Sequence, residues 1–356
     1  MEKLSHIEFM KFYKTNVEPL IISYTEEIKS ARKRANKKLL IVVILSLILG
    51  AGVWFFMKDF RILFVVLLLC LVLIGWANME VSALLKKFKF DVGSKVLSLC
   101  GNISFSDKKN AVKYYDIRKM GLFPNFTSKT DDDVIVGEYK GCKFLINECR
   151  LIHYEQKQHG DTRSQETKTD FNGLIFKVQM NKNFQGKTIV GLDFKIRKMR
   201  GFDEVKLESI QFMRGRKIYS TDQVEARYIL TTTFMEKLDE LGKEFWKHRF
   251  DSDNQACKEG IQQVEGWLNS VNSSSDLLSK GISTLVKTQF LGVSAAFIEG
   301  YMYLFIPLFE GDNMFEILED RNGEFNNPDC YYKMYSQLWA FLSLIDYMKL
   351  DKHLGL

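Results

Sequence analysis

LLIVVILSLILGAGVWFFM (Leu39–Met57) and ILFVVLLLCLVLIGWA (Ile62–Ala77) stand back to back, with Lys58-Asp59-Phe60-Arg61 between them. A helix rises 1.5 Å per residue, so a hydrocarbon core of roughly 30 Å needs roughly 20 apolar residues to cross it. The first run has nineteen residues and no charge; the second has sixteen, carried to headgroup level by Asn78-Met79. Trp54 and Trp76 lie near span ends, where amphipathic rings favour the interface. A core helix of a soluble protein rarely runs nineteen residues with Ser46 as its one polar side chain. A cleaved leader fits poorly too, because the first run starts only after residue 38 and a second run follows. The pair predicts a transmembrane helical hairpin over residues 39–79.

Charge sets its orientation. Lys29, Arg32, Lys33, Arg34, Lys37 and Lys38 precede the first run, and Lys86, Lys87 and Lys89 follow the second. The connecting turn holds Lys58 and Arg61, partly offset by Asp59. Cytoplasmic flanks carry the excess of Lys and Arg, so both termini are expected in the cytoplasm. Arg32, Lys33, Arg34, Lys37, Lys38, Lys86, Lys87 and Lys89 then form a basic collar at the bilayer surface. Each such residue contributes on the order of 1 kcal/mol toward anionic lipid. The alternative reading of these positions is ordinary solvated charge.

The chain has 356 residues, a formal net charge of +6, 13% aromatic residues and four prolines. Most of it follows the hairpin, enough for a real core, and the composition argues against long disordered tracts. Its six cysteines (70, 100, 142, 149, 257 and 330) show no paired spacing, which suits a reducing compartment.

Residues 1–38 read as helix, with Pro19 at a first-turn position, running on into the first span. Val81–Leu99 repeats apolar residues at helical spacing, marking an amphipathic helix that leaves the bilayer and stops at Gly101. The period then becomes two. Val134–Tyr139 and Lys143–Glu155 alternate around Lys140-Gly141 and predict a β-hairpin. Gln156–Asp170 reads as a polar loop. Gly173–Met180 and Lys187–Phe194 read as strands, and Val205–Phe212 with Lys217–Tyr219 as a strand pair. Asp222 with Glu225, and Thr233 with Glu236, are capping-box patterns opening helices at Gln223 and Phe234. Ala295–Ile306 predicts a β-hairpin turning at Glu299-Gly300, and Tyr331–Leu350 a closing helix. The fold class is α+β: an N-terminal two-helix transmembrane hairpin, then a cytoplasmic domain of mainly antiparallel sheet with flanking helices. The expected organisation is a basic amphipathic helix (1–38), the hairpin (39–79), a juxtamembrane helix (80–101) and an α+β domain (102–250). A helical, Ser-rich insertion (251–290) follows, and a β-hairpin with a helix (291–356) completes the domain.

Motifs with chemical content are few. Gly186-Lys187-Thr188 follows a strand, but the first glycine of a phosphate loop is replaced by Asn181 and strand-like residues follow, so a turn is the better reading. Cys142 and Cys149 point to opposite faces of a strand, and a set with His153 lacks a fourth ligand. Asp131-Asp132-Asp133 could bind a divalent cation but lacks ligand spacing, and a solvated loop is preferred. No nucleophile elbow or zinc-protease motif occurs. The densest polar segment is Tyr219–Tyr228, where Asp222, Glu225, Arg227 and Tyr228 form a candidate polar site at a strand-to-helix junction. A structural role, with Asp222 capping and Glu225 and Arg227 pairing with neighbours, outweighs a site.

That segment, Tyr-Ser-Thr-Asp-Gln-Val-Glu-Ala-Arg-Tyr, carries a resemblance. With Leu230-Thr231 and Phe234-Met235 it resembles the signature of an uncharacterised bacterial membrane family catalogued as domain of unknown function 3137. Gly121-Leu122-Phe123, Val136-Gly137-Glu138, Phe171-Asn172-Gly173-Leu174 and Ala295–Gly300 match further landmarks of that family. The resemblance implies a membrane-anchored α+β body in a bacterial inner membrane and brings no established activity. The resulting expectation is a non-enzymatic scaffold or sensor. It would engage the bilayer, anionic headgroups, a protein partner or its own copies, without cofactor, metal or nucleic acid. The alternative is a membrane-tethered enzyme with an unfamiliar site near Asp222, Glu225 and Arg227.

Overall fold

The computed structural model describes residues 3–57, 60–159, 162–180, 184–192, 196, 198–213, 215–250, 292–308, 314–315, 317 and 325–350. The expected insertion 251–290 lies outside them. The chain divides into a helical unit, Glu2–Leu99 with Glu316–Tyr332, and a sheet unit, Cys100–Phe315 with Lys333–Leu356.

The helical unit opens with α1 (His6–Phe12), where Ser5 and Glu8 complete a capping box. One π-helical turn, Tyr13–Val17, connects it to α2 (Glu18–Met57). Pro19 lies just past that turn; it has no N–H and crowds the carbonyl four residues back, which the wider turn relieves. At 40 residues α2 is about 60 Å long, and α3 (Phe60–Leu97) nearly matches it. Buried Ile21, Ile28, Ala35 and Val42 recur every seven residues, the repeat that keeps one helix seam facing another. On α3, Ala77, Phe88, Val92 and Val96 are buried. Tyr24 packs edge-on to Phe88 at 5.7 Å and its hydroxyl donates to Asp91. Beyond the seam the apolar side chains turn outward: Leu47 is 68% exposed and Val72 69%. Both helices are long and apolar enough to cross a membrane. A buried core helix would have shown the opposite burial.

The sheet unit is built on nine antiparallel strands among the described residues: β1 (Asn102–Phe105), β2 (Ser128–Tyr139), β3 (Cys142–His159), β4 (Thr162–Gln179), β5 (Thr188–Leu192), β6 (Asp203–Glu204), β7 (Arg216–Ser220), β8 (Ser294–Ile298) and β9 (Tyr301–Pro307). Their order is β1-β2-β3-β4-β9-β8-β5-β7-β6. The late hairpin β8–β9 therefore sits in the middle, with β9 against β4 and β8 against β5. Side chains alternate across the sheet. On one face Leu151, Phe171, Ile175, Ile189, Tyr219 and Phe305 form a core with Ile117 and Met120 of α4 (Tyr114–Met120) and the following Phe123 and Phe126. On the other face Phe176 stacks on Phe341 at 4.8 Å, and Phe297 meets Phe234 at 5.8 Å. Those partners belong to the closing helix (Pro328–Leu350) and to a helix at Thr232–Phe250. Both faces are covered, so the central strands are apolar on both sides.

Three local expectations change. Gln156–Asp170 is not a loop; β3 and β4 run on as a ribbon to His159 and Thr162. Its polar residues at 156 and 165–169 are exposed on extended strand rather than on irregular backbone. Only Asp203–Glu204 of the segment before β7 is strand, and Ile210–Met213 forms a helical turn, α5. Ser209 starts that turn, its hydroxyl and carbonyl accepting from Phe212 N and Met213 N at 3.3 and 3.0 Å. The helix α6 (Gln223–Ile229) follows β7, and the next, α7 (Thr232–Phe250), is capped by Thr231 rather than Thr233. The Thr231 hydroxyl accepts from Phe234 N at 3.3 Å. The closing helix is α8.

Arg216 ties three of these pieces together. Its guanidinium pairs with Asp239 of α7 at 2.8 Å, donates to Phe212 O at 3.2 Å and covers the Phe212 ring at 4.5 Å.

Gly173 lets β9 approach β4. A Cβ there would strike the Ile306 carbonyl oxygen and lie 3.0 Å from Leu308 N, and its φ of +156° disfavours side chains. Beside it Leu308 N donates to Asn172 O at 2.6 Å. Gly173→Ala is expected to destabilise the chain by about 1–3 kcal/mol, read as a lowered denaturation midpoint of the purified protein.

Candidate functional site

The junction around Tyr219–Tyr228 is held by its own chain. Asp222 caps α6, its carboxylate accepting from Val224 N and Glu225 N at 2.8 and 3.0 Å. A capping box would turn Glu225 back onto the Asp222 amide. That amide is taken instead by Ser220 Oγ at 3.1 Å, and Glu225 reaches across to a different loop. Its Oε1 accepts from Gln185 N at 3.0 Å and its Oε2 from Gly186 N at 2.6 Å. Thr221 Oγ1 accepts the next amide, Lys187 N, at 2.8 Å. Three consecutive N–H groups thus converge on side chains of the junction. Thr188 and Ser220 hydroxyls close the arrangement at 2.9 Å.

This geometry explains Gly186-Lys187-Thr188. Amides that could cradle a phosphate already hold a carboxylate, and β5 rather than a helix follows. Gly186 leaves room for this approach, since a Cβ there would lie 2.6 Å from Glu225 Oε2 and push the carboxylate aside. Arg227 points elsewhere, donating to Gln223 O at 3.0 Å and Lys206 O at 3.5 Å. Tyr228 lies on α6, half-buried. Asp222 and Glu225 are therefore brought together, while Arg227 fastens a separate loop. Chemically the arrangement is a clamp joining the entry of β5 to the start of α6.

A second polar cluster sits at a bulge where β2 and β3 lose register between Asp131 and Val134. The aspartate triplet lies in β2, not in a loop. Lys129, its side chain only 3% exposed, pairs with Asp131 and donates to Asn147 Oδ1 at 3.2 Å. Donor atoms of Asp132, Asp133 and Glu148 lie within 4.8 Å of one another. Among the described residues these three could hold a cation, and an all-oxygen set suits a hard divalent ion. Glu148 comes from β3, fifteen residues past the end of the triplet, and the local pattern does not announce it.

The cysteine and histidine positions stay apart. Seven residues of extended strand separate Cys142 from Cys149 by about 23 Å. Burial pushes the Cys149 thiol up to about 12, leaving it protonated and inert. His153 instead bridges β3 and β4, with Nδ1 at 2.7 Å from Asp170 and Nε2 at 3.5 Å from Glu155. The Asp170 hydrogen bond, then Glu155, holds the imidazole above its ordinary value.

In the collar, Arg34 pairs with Glu80 at 2.6 Å and Lys38 with the same carboxylate at 3.7 Å. Lys38 also covers the Trp76 ring at 5.2 Å, and Lys86 and Lys87 cover Phe90 and Tyr24 at 5.6 and 5.9 Å. Lys33 and Lys37 are exposed on α2, and Arg32 and Lys89 are half-buried. Part of the basic charge is therefore spent within the helical pair.

A family model described as protein of unknown function (DUF3137) matches residues 169–252. The chain is similar to that family over the second half of β4 through α7. The match takes in Gly173, Gly186, Arg216, Asp222, Glu225 and Asp239, and leaves out the apolar helices. No curated protein and no solved structure matches the chain.

Glu225→Ala strands two amides and should destabilise the fold by about 1.5–3 kcal/mol, measured as a lowered denaturation midpoint. Because the folded imidazole of His153 is raised, its contribution to stability is full below its ordinary value near 6.5. It is lost as pH rises through the raised value. A proton-NMR titration should place His153 above an ordinary histidine, and Asp170→Asn should bring it back.

Proposed function

We propose that the chain is a membrane-anchored binding protein of a bacterial inner membrane, with both termini and the sheet unit in the cytoplasm. It acts there as a scaffold or sensor that engages anionic headgroups or a partner protein. The observation that carries this reading is the uncovered apolar surface of α2 and α3, bracketed on one side by the basic collar. Such surface is stable in hydrocarbon and a liability in water. The excess of Lys and Arg outside the two ends, against two in the turn, favours cytoplasmic termini. The exposed lysines Lys33 and Lys37 are available to anionic lipid, while Lys87 covers Tyr24 and Arg34 and Lys38 share Glu80.

Support for a binding role over catalysis comes from the junction. Glu225 and Asp222, the best acid–base candidates in the chain, spend their oxygens on backbone amides.

Impermeant maleimide on spheroplasts tests the topology. Phe60→Cys at the first residue of α3 should label from outside, and Asn110→Cys in the sheet unit only after permeabilisation. Labelling of Asn110→Cys from outside would reverse the orientation, and release of the protein by alkaline carbonate would remove the anchor.

A further inference from the structure

Past Ile152 the nine-stranded sheet narrows to two strands. β2 ends its pairing with β3 at Ser128 opposite Ile152, and β9 begins its pairing with β4 at Pro307 opposite Gly173. From His153 opposite Lys168 to His159 opposite Thr162, among the described residues, β3 and β4 pair with each other alone. Tyr154 is 48% exposed here, and residues 165–169 of β4 are exposed as well. A lone two-stranded ribbon is marginal in water, and its open edges are templates for further pairing.

The two edges differ. β4 bulges only at the base of the ribbon, where Leu151 faces Phe171 and Ile152 faces Thr169 with Asp170 as the extra residue; along Thr162–Lys168 a self-pairing about Gln165 would set no opposite charges against each other. The β3 edge runs straight from His153 to His159, with no proline. That run is complementary to itself. Laid antiparallel on a second copy about its midpoint, Gln156 meets Gln156, Glu155 meets Lys157, Tyr154 meets Gln158 and His153 meets His159. By register each Glu155, already paired with Lys168 at 2.5 Å, lies opposite the Lys157 position of the other copy, twice by symmetry, and the whole open run is used before β2 is reached.

We propose that the His153–His159 edge of β3 is a dimerisation edge, pairing antiparallel with the same edge of a second copy to form a four-stranded ribbon. This deepens the scaffold reading above and rests on it, since it supplies the self-association that two anchored copies would use.

Cross-linking of the full-length protein in its own membranes tests it. Opposed antiparallel residues lie about 4.5–5.5 Å apart at Cα, within reach of a disulfide. With copper phenanthroline as oxidant, Gln156→Cys should convert most of the chain to a covalent dimer above the wild-type background. Gln165→Cys, directly opposite in the same ribbon but on the other edge, should stay monomeric. Adding Lys157→Glu to Gln156→Cys sets Glu against Glu twice and should cut the dimer several-fold. No dimer from Gln156→Cys, or equal yields at 156 and 165, would overturn the pairing. Carbonate extraction of the same membranes reports separately: protein that stays with the membrane but fails to cross-link keeps the anchored reading and loses only the dimer edge.

Discussion

Burial of β4 on both faces at once is the constraint on which the sheet unit depends. Its Phe171 and Ile175 enter the core under α4, and its Leu174, Phe176 and Val178 face α7 and α8. The strand is also paired on both sides, by β3 and by β9, so its backbone and its side chains are satisfied from four directions. A strand held this way tolerates little change of register, because one residue of slip would exchange its two apolar sets. Gly173 marks where the tolerance ends: there the next strand comes so close that only hydrogen fits. Beyond it the constraint lapses, the faces become polar, and the ribbon continues unsupported.

The helical unit obeys a different rule. Its seam is dry and regular for the first half of α2, then its apolar residues face outward. Between those regimes lies the shared carboxylate of Glu80, which binds Arg34 and Lys38 on the neighbouring helix. A salt bridge at that level does two things. It ties α2 to α3 at one level, and it lowers the net positive charge that the collar presents.

Much of this architecture is legible in the residues. The two long apolar runs, the period-two segments at Val134–Tyr139 and Gly173–Met180, the late hairpin and the closing helix each obey a local pattern. What escapes local reading is contact across distance. Asp222 and Glu225 spell a capping box, yet Glu225 bonds amides about 40 residues earlier, a partnership no window of sequence contains. Glu148 joins Asp132 and Asp133 only because a bulge in β2 brings them level. The ribbon resembles a loop in sequence because alternation is visible only where one face is apolar. The seven-residue seam at Ile21, Ile28, Ala35 and Val42 is present in the residues but faint beside the longer apolar runs that follow.

The place of β9 in the strand order governs how the chain can be made. β2, β3 and β4 follow one another with two residues between each pair and can pair as soon as they leave the ribosome. The strand that covers the free edge of β4 is encoded more than a hundred residues later, after β7, α6 and α7. Closing so long a loop is slow, and until it happens Leu174, Phe176 and Val178 line an open, apolar edge. The nascent protein therefore spends the synthesis of its second half as an aggregation-prone half-sheet. Its first half meanwhile carries two helices long and apolar enough to cross a membrane, so two sticky surfaces must be shielded concurrently during translation.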